Sequence, residues 1–251
     1  GISKDWFTNV SKEIINTEIF VPVPNGDSLT FNHKKEDMML YRFTGQFIAT
    51  AFNNNRNINI KLASFIWKQM LGEEITLEDM KNYDVDLYES MKWITENDPS
   101  LLEMTFVDAD ENELCKNGGE ITVTNENKLE FVKLMIEKKL IKENLETLEY
   151  LVNGFRDVIN FNFITLFSSK NIQEIINGVE IIDVEDLKKN TICDKKYEKE
   201  FNDFFEIISK WPQEKLQKLL MFATGSSTIP FGGFKNLENN GGLFTLYFCK
   251  N

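Results

Sequence analysis

The side chains best suited to covalent or metal chemistry are few: three cysteines, Cys115, Cys193 and Cys249, and one histidine, His33. The cysteines form no Cys-x-x-Cys pair and are odd in number, which argues against a zinc site or a disulfide framework. His33 stands in the polar stretch Asn32-His33-Lys34-Lys35-Glu36-Asp37. One loop histidine builds no multi-histidine metal site, and it reads as a solvated residue rather than the base of a triad. No metal and no cofactor is expected.

The elements that position these residues belong to a chain of 251 residues, enough for one large domain or two small ones. Its 42% hydrophobic and 27% charged content reads as globular. A net charge of −12 argues against nucleic acid as a partner, because phosphate neutralisation needs clustered Lys and Arg. No apolar run reaches membrane-spanning length and the first residues lack a signal-peptide pattern, so a cytoplasmic or nuclear setting is expected.

Periodicity makes the chain α+β and mostly helical. Apolar residues over Trp6–Ile19 recur at helical spacing, and Pro22, Pro24 and Gly26 follow as turn signals. Met38–Phe52 reads as a helix whose Gly45 implies close packing against a neighbour. A short helix over Phe65–Leu71 is closed by Gly72, and Thr76 is an N-cap for the next. Leu87, Met91 and Ile94 recur at i, i+4 and i+7, on one helix face that Pro99 ends. A long amphipathic region follows Asn125, with Phe131 on its buried side. Gly178-Val179-Glu180 is the best domain boundary, since the pattern restarts at Ile181. Helices over Phe201–Ile208 and Glu214–Phe222 lead to a glycine- and proline-cornered turn, and Leu243–Phe248 is β-prone.

Several separated stretches resemble one family, in the right order. Phe222 to Phe234 (Phe-Ala-Thr-Gly-Ser-Ser-Thr-Ile-Pro-Phe-Gly-Gly-Phe) fits the Phe-x-Thr-Gly-x-Ser pattern that HECT-type ubiquitin ligases carry before their catalytic cysteine. Leu71-Gly72, Ile75-Thr76-Leu77-Glu78-Asp79 and Leu87-Tyr88-Glu89-Ser90-Met91-Lys92-Trp93-Ile94-Thr95-Glu96-Asn97-Asp98 are similar to the N-lobe of that family. So are Thr105-Phe106 and Ile121–Lys128. Ile181–Thr191 resembles the opening of its C-lobe. Between Phe106 and Leu114 this chain is shorter and more acidic than the family usually is.

The resemblance implies a bilobal HECT fold. Its α-rich N-lobe would cover 1–177, with the conjugating-enzyme-binding part about 72–135. A hinge at Gly178, Val179 and Glu180 would join it to a smaller α/β C-lobe at 181–251. It implies a ligase that accepts ubiquitin from a ubiquitin-conjugating enzyme as a cysteine thioester and passes it to lysines of protein substrates. A thiolate suits that work, because thiol-thioester exchange is a nearly balanced swap needing deprotonation and positioning. The family's nucleophile lies in a Thr-Cys-Phe motif, expected beyond residue 251, so no catalytic residue is assigned within the chain. Cys249, in Phe248-Cys249-Lys250, is the fallback. The docking groove carried over from the family is Leu87, Met91, Ile94, Leu102, Met104 and Phe131, and Met91→Asp is expected to abolish docking with the fold intact. The alternative reading is a non-catalytic scaffold that keeps this groove and has lost the nucleophile.

Overall fold

The computed structural model describes residues 2–24, 26–35, 37–240 and 243–248. Helix dominates, with two small sheets among the described residues. The chain divides into two compact units, Gly1–Asn54 with Ile58–Ile172, and Asn55–Asn57 with Gln173–Asn251.

In the first unit α1 (Ile2–Asn16) buries Phe7, Ser11 and Ile14, one turn or so apart on one face. The helix stops earlier than periodicity predicts. Thr17 folds its hydroxyl onto the Ile14 carbonyl and Glu18 takes a φ of 60°, which a right-handed helix cannot continue. Ile19 therefore enters an antiparallel hairpin, β1 (Phe20–Pro22) with β2 (Leu29–Phe31). Phe20 and Phe31 from this hairpin close on Tyr41 of α2 (Met38–Asn53), both at centroid distances of 5.6 Å.

The main packing contact of the unit joins α2 to α7 (Leu145–Arg156). Gly45 and Gly154 face each other's backbones. A Cβ on Gly45 would lie 2.0 Å from the Leu151 carbonyl oxygen, and one on Gly154 would lie 1.8 Å from that of Arg42. The helices touch main chain to main chain, so glycine is required at both positions.

Helix α3 (Ser64–Leu71) ends at Gly72, whose φ of 71° turns the chain out of the helix. From there α4 (Leu77–Lys81), α5 (Val85–Glu96) and α6 (Lys128–Ile136) pack on one another. The start of α4 is set by Asp79, which accepts from the Thr76 N–H at 2.8 Å and from Lys68 at 2.9 Å. Helix α6 runs on through a π turn, Glu137–Ile141, and a 3₁₀ turn, Lys142–Asn144, into α7. A short α8 (Phe161–Ile164) leads to α9 (Ser169–Asn177), whose first residue gives its N–H and its hydroxyl to Glu73, both at 2.7 Å.

The second unit holds α10 (Val184–Lys189), β3 (Thr191–Ile192), α11 (Glu198–Ile208), α12 (Gln213–Thr224) and β4 (Phe244–Thr245). Leu187, Phe205, Ile208, Leu220, Phe234 and Phe244 form the heart of its own core. The β-prone run beyond α12 pairs less than its composition predicts. β3 offers two residues, so Thr191 faces Phe244 and Ile192 faces Thr245 in parallel, and one further bond joins the Leu246 N–H to the Ile192 carbonyl.

Candidate functional site

The polar start of α5 explains its register: Asp84 caps it, accepting the Leu87 N–H at 3.0 Å. From that start the helical period brings Leu87, Met91 and Ile94 to one side, but the side is the inner one. Met91 and Ile94 are each 3% exposed, and Leu87 is half-buried. Phe131 is fully buried and meets Phe106 edge-on at 5.4 Å. Leu102 is exposed and Met104 half-buried. Three of the six sequence-predicted groove residues are thus packed beneath the surface. The expectation that Met91→Asp would spare the fold is corrected: a carboxylate at that position would be buried without a partner.

Other large apolar side chains of this part stay exposed: Leu102, which the sequence reading named, and Trp93, Leu101 and Leu129, which it passed over. Trp93 is 45% exposed, Leu101 94%, Leu102 51% and Leu129 65%. Short polar contacts fix the segments bearing them. Asn97 ends α5 by giving its N–H to the Trp93 carbonyl at 2.9 Å. Asp98 accepts both the N–H and the hydroxyl of Ser100, at 3.0 and 2.6 Å, and these bonds hold its carboxyl below the ordinary range. Lys128, at the first position of α6, donates to the Asn97 carbonyl at 2.6 Å and so joins α6 to the end of α5. The Val123 N–H reaches the Met104 carbonyl at 2.8 Å. The signal for Trp93 was in the sequence: it is a large aromatic on the polar side of an amphipathic helix, where burial cannot explain it.

The short acidic loop after Phe106 turns inward as well. Asp108 is buried, and its carboxylate accepts the N–H groups of Asp110 and Asn112, both at 2.9 Å, and pairs with Lys138 at 2.9 Å. Burial alone would raise its pKa. Lys138 and the Asn112 and Asp110 donors outweigh that and hold the carboxyl well below the usual carboxylate range.

In the second unit the Phe222–Phe234 stretch is a built corner. Gly225 caps α12 at a φ of 72°. Ile229 exchanges both backbone bonds with Val179, at 2.8 and 3.0 Å, and the Thr228 hydroxyl donates to the Asn177 carbonyl at 3.1 Å. Gly178, at a φ of 81°, lies against the Thr228 side chain, and Gln217 donates to the Glu180 carbonyl at 3.1 Å. Gly233 takes a φ of 92° and lies so close to Asp186 that a Cβ would sit 2.5 Å from its Oδ2. That same oxygen accepts the Phe234 N–H at 2.8 Å. Sequence reading missed Asp186, whose role depends on a contact far along the chain.

Cys115 and Cys193 are free and half-buried. Cys249, the fallback nucleophile, lies outside the described residues. His33 is exposed in its loop.

Residues 8–249 match the HECT-domain (ubiquitin-transferase) family. The chain belongs to that family. It is 31% identical to an E3 ubiquitin-protein ligase TOM1-like of Neurospora crassa, over 97% of this chain and 6% of that protein. It is 30% identical to the E3 ubiquitin-protein ligase Nedd-4 of Drosophila melanogaster, over 98% of this chain and 26% of that protein. With the E3 ubiquitin-protein ligase HACE1 of Homo sapiens it shares 31% identity, over 97% of this chain and 29% of the relative. The chain thus spans less than a third of the length of each of these curated relatives.

Proposed function

We propose that this chain is the HECT catalytic domain of a ubiquitin-protein ligase. Its N-lobe, residues 1–177, docks a charged ubiquitin-conjugating enzyme, and Gly178, Val179 and Glu180 join it to the C-lobe. Ubiquitin passes to a C-lobe cysteine as a thioester and from there to a substrate lysine. In the first step the carbonyl carbon leaves one sulfur for another and the released thiolate takes up the attacking thiol's proton. In the second the lysine amine displaces the cysteine sulfur, whose thiolate takes up the amine's proton, so no redox partner is needed. The family membership supports the reaction class.

The observation that carries the docking reading is the exposed apolar group Trp93, Leu101, Leu102 and Leu129, held on tied segments of the 72–135 part. Of the groove residues carried over from the family, Leu102 belongs to this group, Leu87 and Met104 are half-buried, and Met91, Ile94 and Phe131 are buried. Exposed aromatic and aliphatic side chains over a rigid base make the anchor of a partner site, and Met104 adds an adaptable edge. A soluble setting fits a chain in which no described helix is long and apolar enough to cross a membrane.

The test is to incubate the complete ligase with a charged conjugating enzyme and look for a ubiquitin adduct that a reducing agent removes. The reading expects such an adduct, lost when one C-lobe cysteine is replaced. Binding without any adduct would make the protein a scaffold and overturn the catalytic reading.

A further inference from the structure

The docking part leaves the rest of its unit at Gly72 and returns through the π and 3₁₀ turns of 137–144. These two crossings meet at one carbonyl. Gln69, in the last turn of α3, donates its side-chain N–H to the Leu140 carbonyl inside the π turn. Asn144, fully buried at the end of the 3₁₀ turn, donates to the same carbonyl at 3.0 Å and to that of Lys139 at 3.0 Å. Those bonds fix the orientation of both amides, because a flip would set an amide oxygen against a carbonyl oxygen. The amide oxygens that result, Gln69 Oε1 and Asn144 Oδ1, each show less than 1 Å² to solvent and meet no protein donor. An unsatisfied buried acceptor is costly, so each of these two oxygens calls for a donor that the protein itself does not supply. A water molecule has two protons to donate, which matches two acceptors.

We propose that Gln69 and Asn144 bind a buried water at this neck and act as positioning residues for the docking part, holding the 72–135 segment in the orientation that receives the conjugating enzyme. The proposal rests on the docking reading given above. Both act through the π turn that connects α6, with its buried Phe131, to α7.

Two measurements decide it. A high-resolution crystal structure of the chain should contain an ordered water within hydrogen-bond distance of both amide oxygens; a dry neck overturns the water site. In the complete ligase, Gln69→Leu keeps the volume and removes the polar partner. The KM for the charged conjugating enzyme should then rise about fivefold, the scale of effect that non-contacting residues exert on a coupled site. The kcat for transfer and the circular dichroism spectrum should be unchanged. A purely structural role would lower the unfolding temperature and the yield of folded protein and leave KM alone, and that result overturns the positioning role. If the wild-type ligase binds no conjugating enzyme, the docking reading has failed and the positioning role falls with it, while the crystal density still decides the water.

Discussion

Glycine does different work in the two units. Between α2 and α7, Gly45 and Gly154 stay helical and are needed because two backbones press together. In the 232–234 corner, Gly232 and Gly233 take φ values of 86° and 92°; the Asn236 amide fills the space a side chain on Gly232 would occupy, and the Asp186 carboxylate that of Gly233. The first is a packing constraint with main chain on both sides and nothing able to yield. The second combines backbone conformation with polar side-chain contacts, and those side chains can rotate. Rigidity is therefore greatest under the first unit's helix pair, and the corner of the second unit should tolerate more.

Substitution at Gly154 or Gly45 should give the largest effect. With a Cβ driven to 1.8–2.0 Å from a carbonyl oxygen, Gly154→Ala or Gly45→Ala should destabilise the chain by about 3 kcal/mol or more in urea unfolding, because overpacking against backbone has no flexible relief. Removal of the buried Asp108 side chain comes next. Asp108→Ala strands Lys138 and several N–H groups and should cost about 3 kcal/mol by the same assay. The same residue predicts an acid limit. Its carboxyl is held below its unfolded-state value, so its contribution is complete above about pH 4 and drains away as pH falls below that. Asp108→Asn should flatten this part of the stability–pH curve.

Gly233→Ala should fall below both, at about 1–2 kcal/mol, and amide exchange should place the loss in the second unit at Phe234. If Gly233→Ala proved costlier than Gly154→Ala, the contrast between the units would be reversed.

The sequence carried one half of this comparison more clearly than the other. Gly45 inside an apolar helix already implied close packing, because a helix former was forgone where nothing local required it. Its partner Gly154 looked like an ordinary member of a helical pattern until the fold brought the two together. The Phe222–Phe234 corner was legible from Gly, Pro and hydroxyl residues, whereas Asp186 was not, since its bond to Phe234 spans 48 residues. The same limit governs the proposed docking site. Periodicity found the apolar face of α5 correctly, but a stripe of Leu, Met and Ile has the same spacing whether it meets a core or a partner. In the fold Met91 and Ile94 are buried, while Leu102, Trp93 and Leu101 are exposed.

The smallest expected stability effect belongs to those exposed residues, and there the central claim is most directly tested. Leu101→Ser and Trp93→Ala should each change unfolding free energy by no more than about 0.5 kcal/mol, as surface substitutions do. The decisive measurement is the affinity of the complete ligase for a ubiquitin-conjugating enzyme, titrated for wild type and both variants. The account predicts a fall of about tenfold or more in each variant with the fold unchanged, as for an interface anchor. Wild-type affinity in both variants would contradict it and remove this face as the docking site.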